Sequence, residues 1–164
     1  MVLNLKQLFL VEGDRLDFSY DIDLSDFELS GVRFFKSPIK ISGYVFNRAS
    51  IVTINYNANF IYNYNCDRCL KAVTRDCSQD YSHVLVNELC NEDSDSLYAI
   101  EHFLLDLDEL AVADIVLNLP LKFLCRNDCK GLCPKCGINL NDGKCDCDRN
   151  QIDSRLEALT KLLN

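Results

Sequence analysis

Histidine is scarce in this sequence, and long apolar runs are missing from it. Two histidines occur in 164 residues, His83 and His102, and neither stands near a group of cysteines. A catalytic zinc keeps one coordination position open and commonly draws on histidine and carboxylate ligands, so the usual ligand set for metal catalysis is not here. The motifs H-E-x-x-H, G-x-x-x-x-G-K-[ST] and G-x-S-x-G are absent too, which removes the commonest metalloprotease, phosphate-binding and serine-hydrolase signatures. No apolar stretch approaches the roughly 18 residues of a membrane-spanning helix. The opening residues, Met1 to Leu10, show no basic start, sustained apolar core or small-residue cleavage site. They therefore predict a chain that stays in the cytoplasm, under reducing conditions. Positive charge is also short: 17 Lys and Arg face 25 Asp and Glu, for a net charge of -8. Such a balance argues against indiscriminate attraction to nucleic acid or to an anionic membrane. Internal repeats and low-complexity tracts are lacking.

What is present is a run of β-pattern followed by cysteines. Residues 1–37 have no single strong period. Leu3, Leu5 and Leu8 to Val11 predict one strand there, and Val32 to Phe35 another short one. After Pro38, Ile39, Ile41, Gly43 and Val45 alternate with Lys40, Ser42 and Tyr44, the pattern of a half-buried strand. The clearest period follows. Val52, Ile54, Tyr56, Ala58, Phe60, Tyr62, Tyr64 and Cys66 share one face, against a face rich in asparagine. Strict alternation puts one set inward and the other in water. The run is longer than an ordinary strand, so it predicts a bulge or a sheet curled like a barrel. A further extended segment covers about 73–87, which makes an antiparallel hairpin with Cys66-Asp-Arg-Cys69 at its tip.

Residues 91–96 read as a polar loop. Asp106 to Leu119 predicts a helix, with Asp106, Asp108 and Glu109 at the positive end of its dipole and Pro120 beyond its end. Near the C-terminus, Ser154 with Glu157 forms a capping box, and Leu156, Leu159 and Leu163 share one face of a second helix. The fold class expected is therefore α+β: a mainly antiparallel, barrel-like sheet over residues 1–119 with a central helix. A cysteine-rich segment and terminal helix would then occupy residues 120–164.

Ten cysteines occur, and eight of them fall in tight groups: Cys66 with Cys69, Cys125 with Cys129, Cys133 with Cys136, and Cys145 with Cys147. In a reducing compartment such pairs are metal ligands or redox sites more often than disulfides. A two-residue spacer lets both sulfurs turn to one point about 2.3 Å away, the zinc–sulfur distance. Gly137 follows Cys136 directly and supplies the positive φ of a metal knuckle. Eight sulfurs allow two structural zinc sites, and spacing leaves the grouping open. The preferred arrangement is Cys66, Cys69, Cys125 and Cys129 in one site and Cys133, Cys136, Cys145 and Cys147 in the other. A single site with the other thiols free is the alternative, and thiol–disulfide exchange at Cys66 and Cys69 is a second one. Thioredoxin-like exchange expects that motif near a βαβ unit, whereas here it falls between antiparallel strands. Cys77 and Cys90 stand alone and read as small buried hydrophobes.

Cys66-Asp-Arg-Cys69-Leu-Lys71, the leucine-rich stretch ending Leu119-Pro120, and Cys129-Lys-Gly-Leu-Cys133-Pro-Lys-Cys136-Gly-Ile-Asn-Leu-Asn141 with Cys145-x-Cys147 resemble the YceD-like family. The resemblance covers roughly residues 39–163. Its members are described as large ribosomal RNA subunit accumulation proteins. Some relatives keep the first C-x-x-C and a later Cys or His group but lack the last four cysteines, which favours Cys66, Cys69, Cys125 and Cys129 as one unit. What the resemblance implies is a non-catalytic accessory factor in ribosome biogenesis. Its partner would be a pre-ribosomal particle, large-subunit rRNA, or a ribosomal or assembly protein, with no membrane and no small-molecule substrate.

Contact with RNA, if direct, is expected where residues 120–149 hold six basic side chains against four acidic ones. The basic residues to watch are Lys122, Arg126, Lys130, Lys135 and Arg149. Zinc held by four thiolates carries about -2, so one such site cancels that local excess, and the plain reading of all five is a solvated surface. The tyrosine row from Tyr56 to Tyr64 suits base stacking, but its alternation fits a packed sheet face better.

Overall fold

A computed structural model describes residues 1–29, 31–87 and 97–147. They divide into two compact units. The first comprises Met1–Tyr64 and Val73–Leu121; the second joins Asn65–Ala72 to the described residues from Lys122 onward. The expected polar loop at 91–96, the C-terminal helix, Cys90 and Arg149 all lie outside the described residues.

The first unit is mostly sheet. Its strands are β1 (Val2–Asn4), β2 (Arg15–Ile22), β3 (Ile39–Arg48), β4 (Ile51–Asn65), β5 (Ala72–Val86), β6 (Leu97–Ala99) and β7 (Leu104–Asp106). Two helices, α1 (Lys6–Leu10) and α2 (Leu107–Leu117), complete the described elements. Strands β2 to β6 lie in sequence order in one five-stranded sheet, while β1 pairs with β7. Among the described residues the sheet is an open, curled half-barrel with β2 and β6 at its edges. Pairing of β2 with β3 and of β3 with β4 is antiparallel, and β6 joins β5 in parallel. The β3–β4 register runs without a break from Lys40 opposite Asn59 to Arg48 opposite Ile51, so no bulge interrupts it.

The long alternation is buried as its period requires. Val52, Ile54, Tyr56, Ala58, Phe60, Tyr62 and Tyr64 are each at most 6% exposed. Each large apolar side chain taken out of water here contributes roughly 1.5–3 kcal/mol. The opposite face is a hydrogen-bonded polar ladder. Asn57 Nδ2 donates to Ser78 Oγ (3.0 Å) and Asp80 Oδ1 (2.8 Å), and Thr74 Oγ1 donates to Asn63 Oδ1 (2.6 Å). Partners that recede along β5 as β4 advances mark an antiparallel hairpin. Gly43 faces Tyr56 across the β3–β4 pair, and a Cβ there would come within 2.2 Å of the Asn55 carbonyl oxygen. Only glycine allows the two backbones to approach so closely.

Helix α2 begins where its acidic residues predicted. Asp106 is the N-cap and accepts from the backbone N–H of Asp108 (3.0 Å) and Glu109 (3.5 Å). The helix stops at Leu117, two residues short of the expected end. Asn118 Nδ2 donates to the Asp114 carbonyl (2.9 Å), and Pro120 disfavours helical backbone at Leu119. Leu107, Leu110, Ala111, Asp114 and Ile115 form its buried stripe.

Two expectations for the first 37 residues need correction. Leu8 to Leu10 belong to α1, not to a strand: Asn4 Oδ1 accepts from Lys6 N (3.1 Å), turning the chain, and Phe9 N then reaches Leu5 O (3.0 Å). Val32 to Phe35 makes only isolated bridges, Leu29 with Val32 and Phe35 with Tyr62. Besides β1, the strand of these residues is β2, which the sequence reading missed.

Candidate metal centres

The second unit is built around the hairpin tip between β4 and β5. Cys66 N donates to Lys71 O (2.9 Å) and Leu70 N to Cys66 O (2.8 Å), with Leu70 at a positive φ of 58°. The tail closes on this tip through its own backbone. Asp67 N donates to Phe123 O (2.8 Å), Phe123 N to Asp67 Oδ2 (2.7 Å), and Leu132 N to Arg68 O (3.1 Å). The Arg68 guanidinium donates to Cys129 O at 2.8 Å. Gly131, at φ 75°, lies where a Cβ would stand 3.0 Å from the Arg68 carbonyl oxygen. These bonds bring Cys66 and Cys69 to Cys125 and Cys129. The Sγ atoms of Cys66 and Cys129 are 3.8 Å apart, and those of Cys69 and Cys125 3.6 Å. Cys66, Cys69 and Cys129 are buried and Cys125 is half-buried, packed with Leu124 and Leu132.

The other cluster forms on a knuckle. Cys133 N donates to Ile138 O (2.8 Å) and Gly137 N to Cys133 O (2.9 Å), with Gly137 at φ 73° as its place after the ligand pair required. Asn139 Oδ1 and its carbonyl then turn the chain toward Cys145 by accepting from Asn141, Asp142 and Gly143. Cys133, Cys136, Cys145 and Cys147 thus come together, more open to solvent than the first four: Cys136 is exposed, and Cys145 and Cys147 are half-buried. In each set all four sulfurs lie within 4.8 Å of one another.

Ligands about 2.3 Å from a tetrahedral centre have sulfur–sulfur edges of about 3.8 Å. The pairs at 3.8 and 3.6 Å match that edge. They are far beyond the roughly 2.05 Å of a disulfide, and none of the eight cysteines forms one. Either set can hold one metal ion.

The local electrostatics favour a cation. Burial works to raise the Cys66 thiol, but backbone N–H groups of Cys125, Arg68 and Cys69 point at its sulfur and bring it down to about 6. Backbone N–H groups of Cys136 and Lys135 draw Cys133 down to about 6. Burial and the neighbouring sulfurs push Cys125 up to about 12, and sharing a proton with Cys136, together with burial, pushes Cys147 up to about 12. In the buried set Cys66 and Cys129 are drawn down while Cys129 and other neighbours push Cys125 up; in the open set Cys133 is drawn down while Cys136 pushes Cys147 up. A divalent cation reverses that opposition by accepting all four thiolates.

Lys122, Arg126, Lys130 and Lys135 are exposed. Arg126 Nη2 donates to Asn141 Oδ1 (2.8 Å), and its Nε lies 3.3 Å from Asp128. The tip adds Arg68 and Lys71, also exposed, which the sequence reading did not connect with this segment. In the first unit it also missed a polar cluster. Asp114, buried in the apolar stripe of α2, accepts from Tyr56 OH and lies 2.6 Å from His83 Nε2. Burial and this acceptor hold the Tyr56 phenol far above its ordinary pKa. Asp114 stands at a core position of an otherwise apolar helix face, which is the sequence signal that such a partner exists.

The family described as "Large ribosomal RNA subunit accumulation protein YceD" has a model that matches residues 54–163. A chloroplastic protein of Arabidopsis thaliana named "Large ribosomal RNA subunit accumulation protein YCED homolog 1" is 38% identical over 66 residues, 37% of this chain and 21% of that protein. Uncharacterized proteins of Mycobacterium bovis and Mycobacterium tuberculosis are 37% identical over 59 residues, 36% of this chain and 28% of theirs. The aligned stretches thus span less than a third of these relatives. No solved structure matches the chain.

Proposed function

The chain belongs to the YceD family, and we propose that it serves as a non-catalytic, zinc-clasped accessory factor that supports accumulation of large-subunit rRNA. The family description and the name of the Arabidopsis relative support the ribosomal part. The observation that carries the metal part is the sulfur spacing of 3.6–3.8 Å in the buried set, the edge of a tetrahedral thiolate site. Zinc at Cys66, Cys69, Cys125 and Cys129 would cross-link the tip to the tail. A second zinc would use Cys133, Cys136, Cys145 and Cys147. Such closed sites supply folding free energy and no open coordination position for catalysis.

The partner in this reading is a pre-ribosomal particle, through rRNA or an assembly protein, in a reducing compartment such as the cytoplasm. No helix among the described residues is long and apolar enough to cross a membrane. Lys122, Arg126, Lys130 and Lys135, joined by Arg68 and Lys71 from the tip, and Arg149 beyond the described residues, are the proposed contacts. Depleting the protein and measuring the ratio of large- to small-subunit rRNA tests the reading. A fall in that ratio supports it, and an unchanged ratio contradicts it.

A second reading is thiol–disulfide exchange by the Cys66-Asp-Arg-Cys69 pair, whose spacing also serves redox chemistry. Turnover in an exchange assay by protein that holds no metal would put this reading first.

A further inference from the structure

Asn141 is neither a metal ligand nor part of the proposed contact surface, yet its side chain touches both halves of the cysteine unit. Its Oδ1 accepts from Lys130 N and from Arg126 Nη2, each at 2.8 Å. Two donors at one oxygen fix the amide orientation, because the flipped amide would set N–H against N–H. The Nδ2 group is thereby aimed at Cys129 Sγ, 3.3 Å away, in the buried set. Its other proton goes to Asn139 Oδ1 at 2.8 Å. The amide has no bonding capacity left unused.

The position of Asn141 is set by the other cysteine loop. Leu140 N donates to Gly131 O (2.9 Å), Leu132 bridges Asn139, and Cys133 N donates to Ile138 O (2.8 Å). Asn141 N donates to Asn139 Oδ1 (3.0 Å), and Asn139 Nδ2 to Asp142 Oδ2 (2.8 Å). The loop that carries Asn141 therefore begins at a sulfur of the open set and ends two residues before Cys145. Whatever holds Cys133, Cys136, Cys145 and Cys147 together also holds the Asn141 amide against Cys129.

The geometry points to Asn141 as a coupling residue between the two metal sites: metal in the open set raises the affinity of the buried set through the Nδ2–H···Sγ bond to Cys129. This rests on the metal reading above. A donor to a ligand sulfur stabilises its thiolate form, and losing such a support typically weakens metal binding by about 10–100-fold. Coupling of this kind is reciprocal, so metal in the buried set tightens the open set by the same factor.

The test uses the full chain and Zn2+ alone, with affinities read by competition against a chromophoric chelator. Four forms are compared: wild type, Asn141→Leu, a Cys145→Ser/Cys147→Ser variant that removes the open site, and the combination. Amide-proton exchange of β3 and β4 controls for folding in each. The expected result is that either change alone weakens the buried site by about tenfold or more, while the combination weakens it no further. A second readout uses the chain loaded with 113Cd2+. Asn141→Leu should shift the resonance that disappears in Cys66→Ser and leave the other in place. Two bound metals whose affinities are independent of each other and of Asn141→Leu would overturn the coupling while leaving the metal reading intact. Weakening of the buried site by Asn141→Leu, with no weakening by Cys145→Ser/Cys147→Ser, would also overturn it. A chain that binds no metal would remove the metal reading itself.

Discussion

The Sγ atoms of Cys66 and Cys129 lie 3.8 Å apart although 63 positions separate the two residues. A bond at that point closes a long loop, and the entropy it removes from the unfolded chain grows with loop length. The hydrogen bonds between the tip and Phe123, Cys129 and Leu132 define the same closure from the protein side. Metal held by those sulfurs would act on the same junction as the peptide groups.

Removing metal is expected to loosen that junction selectively. A strong chelator should raise amide exchange at 66–71 and 122–147, where few residues have regular structure, before it affects β3 and β4. Hydrogen-exchange mass spectrometry checks this, and unchanged protection of both segments after metal loss would count against it.

The buried Asp114 predicts a localised stability cost. Asp114→Ala leaves the Tyr56 hydroxyl and His83 without their acceptor and should destabilise by about 2–4 kcal/mol. Tyr56→Phe should cost about 1.5–3 kcal/mol and add little once Asp114 is gone. Urea unfolding of the two single variants and the double variant measures both numbers. Simple additivity would mean that the hydroxyl and the carboxylate do not act together.

Gly43→Ala forces a methyl group to within 2.2 Å of the Asn55 carbonyl oxygen and 2.5 Å of Tyr56 Cβ. Backbone must shift, at an expected cost of roughly 1–3 kcal/mol. A thermal midpoint equal to that of wild type would show that β3 and β4 do not approach as closely as described.

Asp106→Ala removes the acceptor for two N–H groups at the start of α2 and should cost about 1 kcal/mol. Asp106→Asn, which keeps a capping oxygen, should lose much less. Chemical denaturation separates the two.

The parts legible in the sequence are those whose signal is local. β3, β4 and β5 follow from period two, and the tip follows from the break between two such runs. The start of α2 near Asp106 follows from acids beside an apolar stripe. β2 carried the same kind of signal, Leu16, Phe18, Tyr20 and Ile22 alternating with polar residues. The flanking residues 1–14 and 23–38 follow no period, which masks this short alternation. α1 was misread because five residues hold too little periodicity to separate a helical turn from a strand. The roles of Asp114 and Asn141 were not legible: their partners are remote in sequence, with Tyr56 58 positions from Asp114 and Cys129 12 from Asn141. Pair spacing suggested which cysteines bind metal but could not fix how they group, because that depends on how the tail folds back on the tip.

The most direct test of the account counts metal. Protein purified without added zinc is analysed by elemental mass spectrometry, beside Cys66→Ser and Cys136→Ser. The account predicts two equivalents of zinc in the wild type and one in each variant, matching the two sets of four sulfurs. Finding no metal in reduced, folded protein would contradict it.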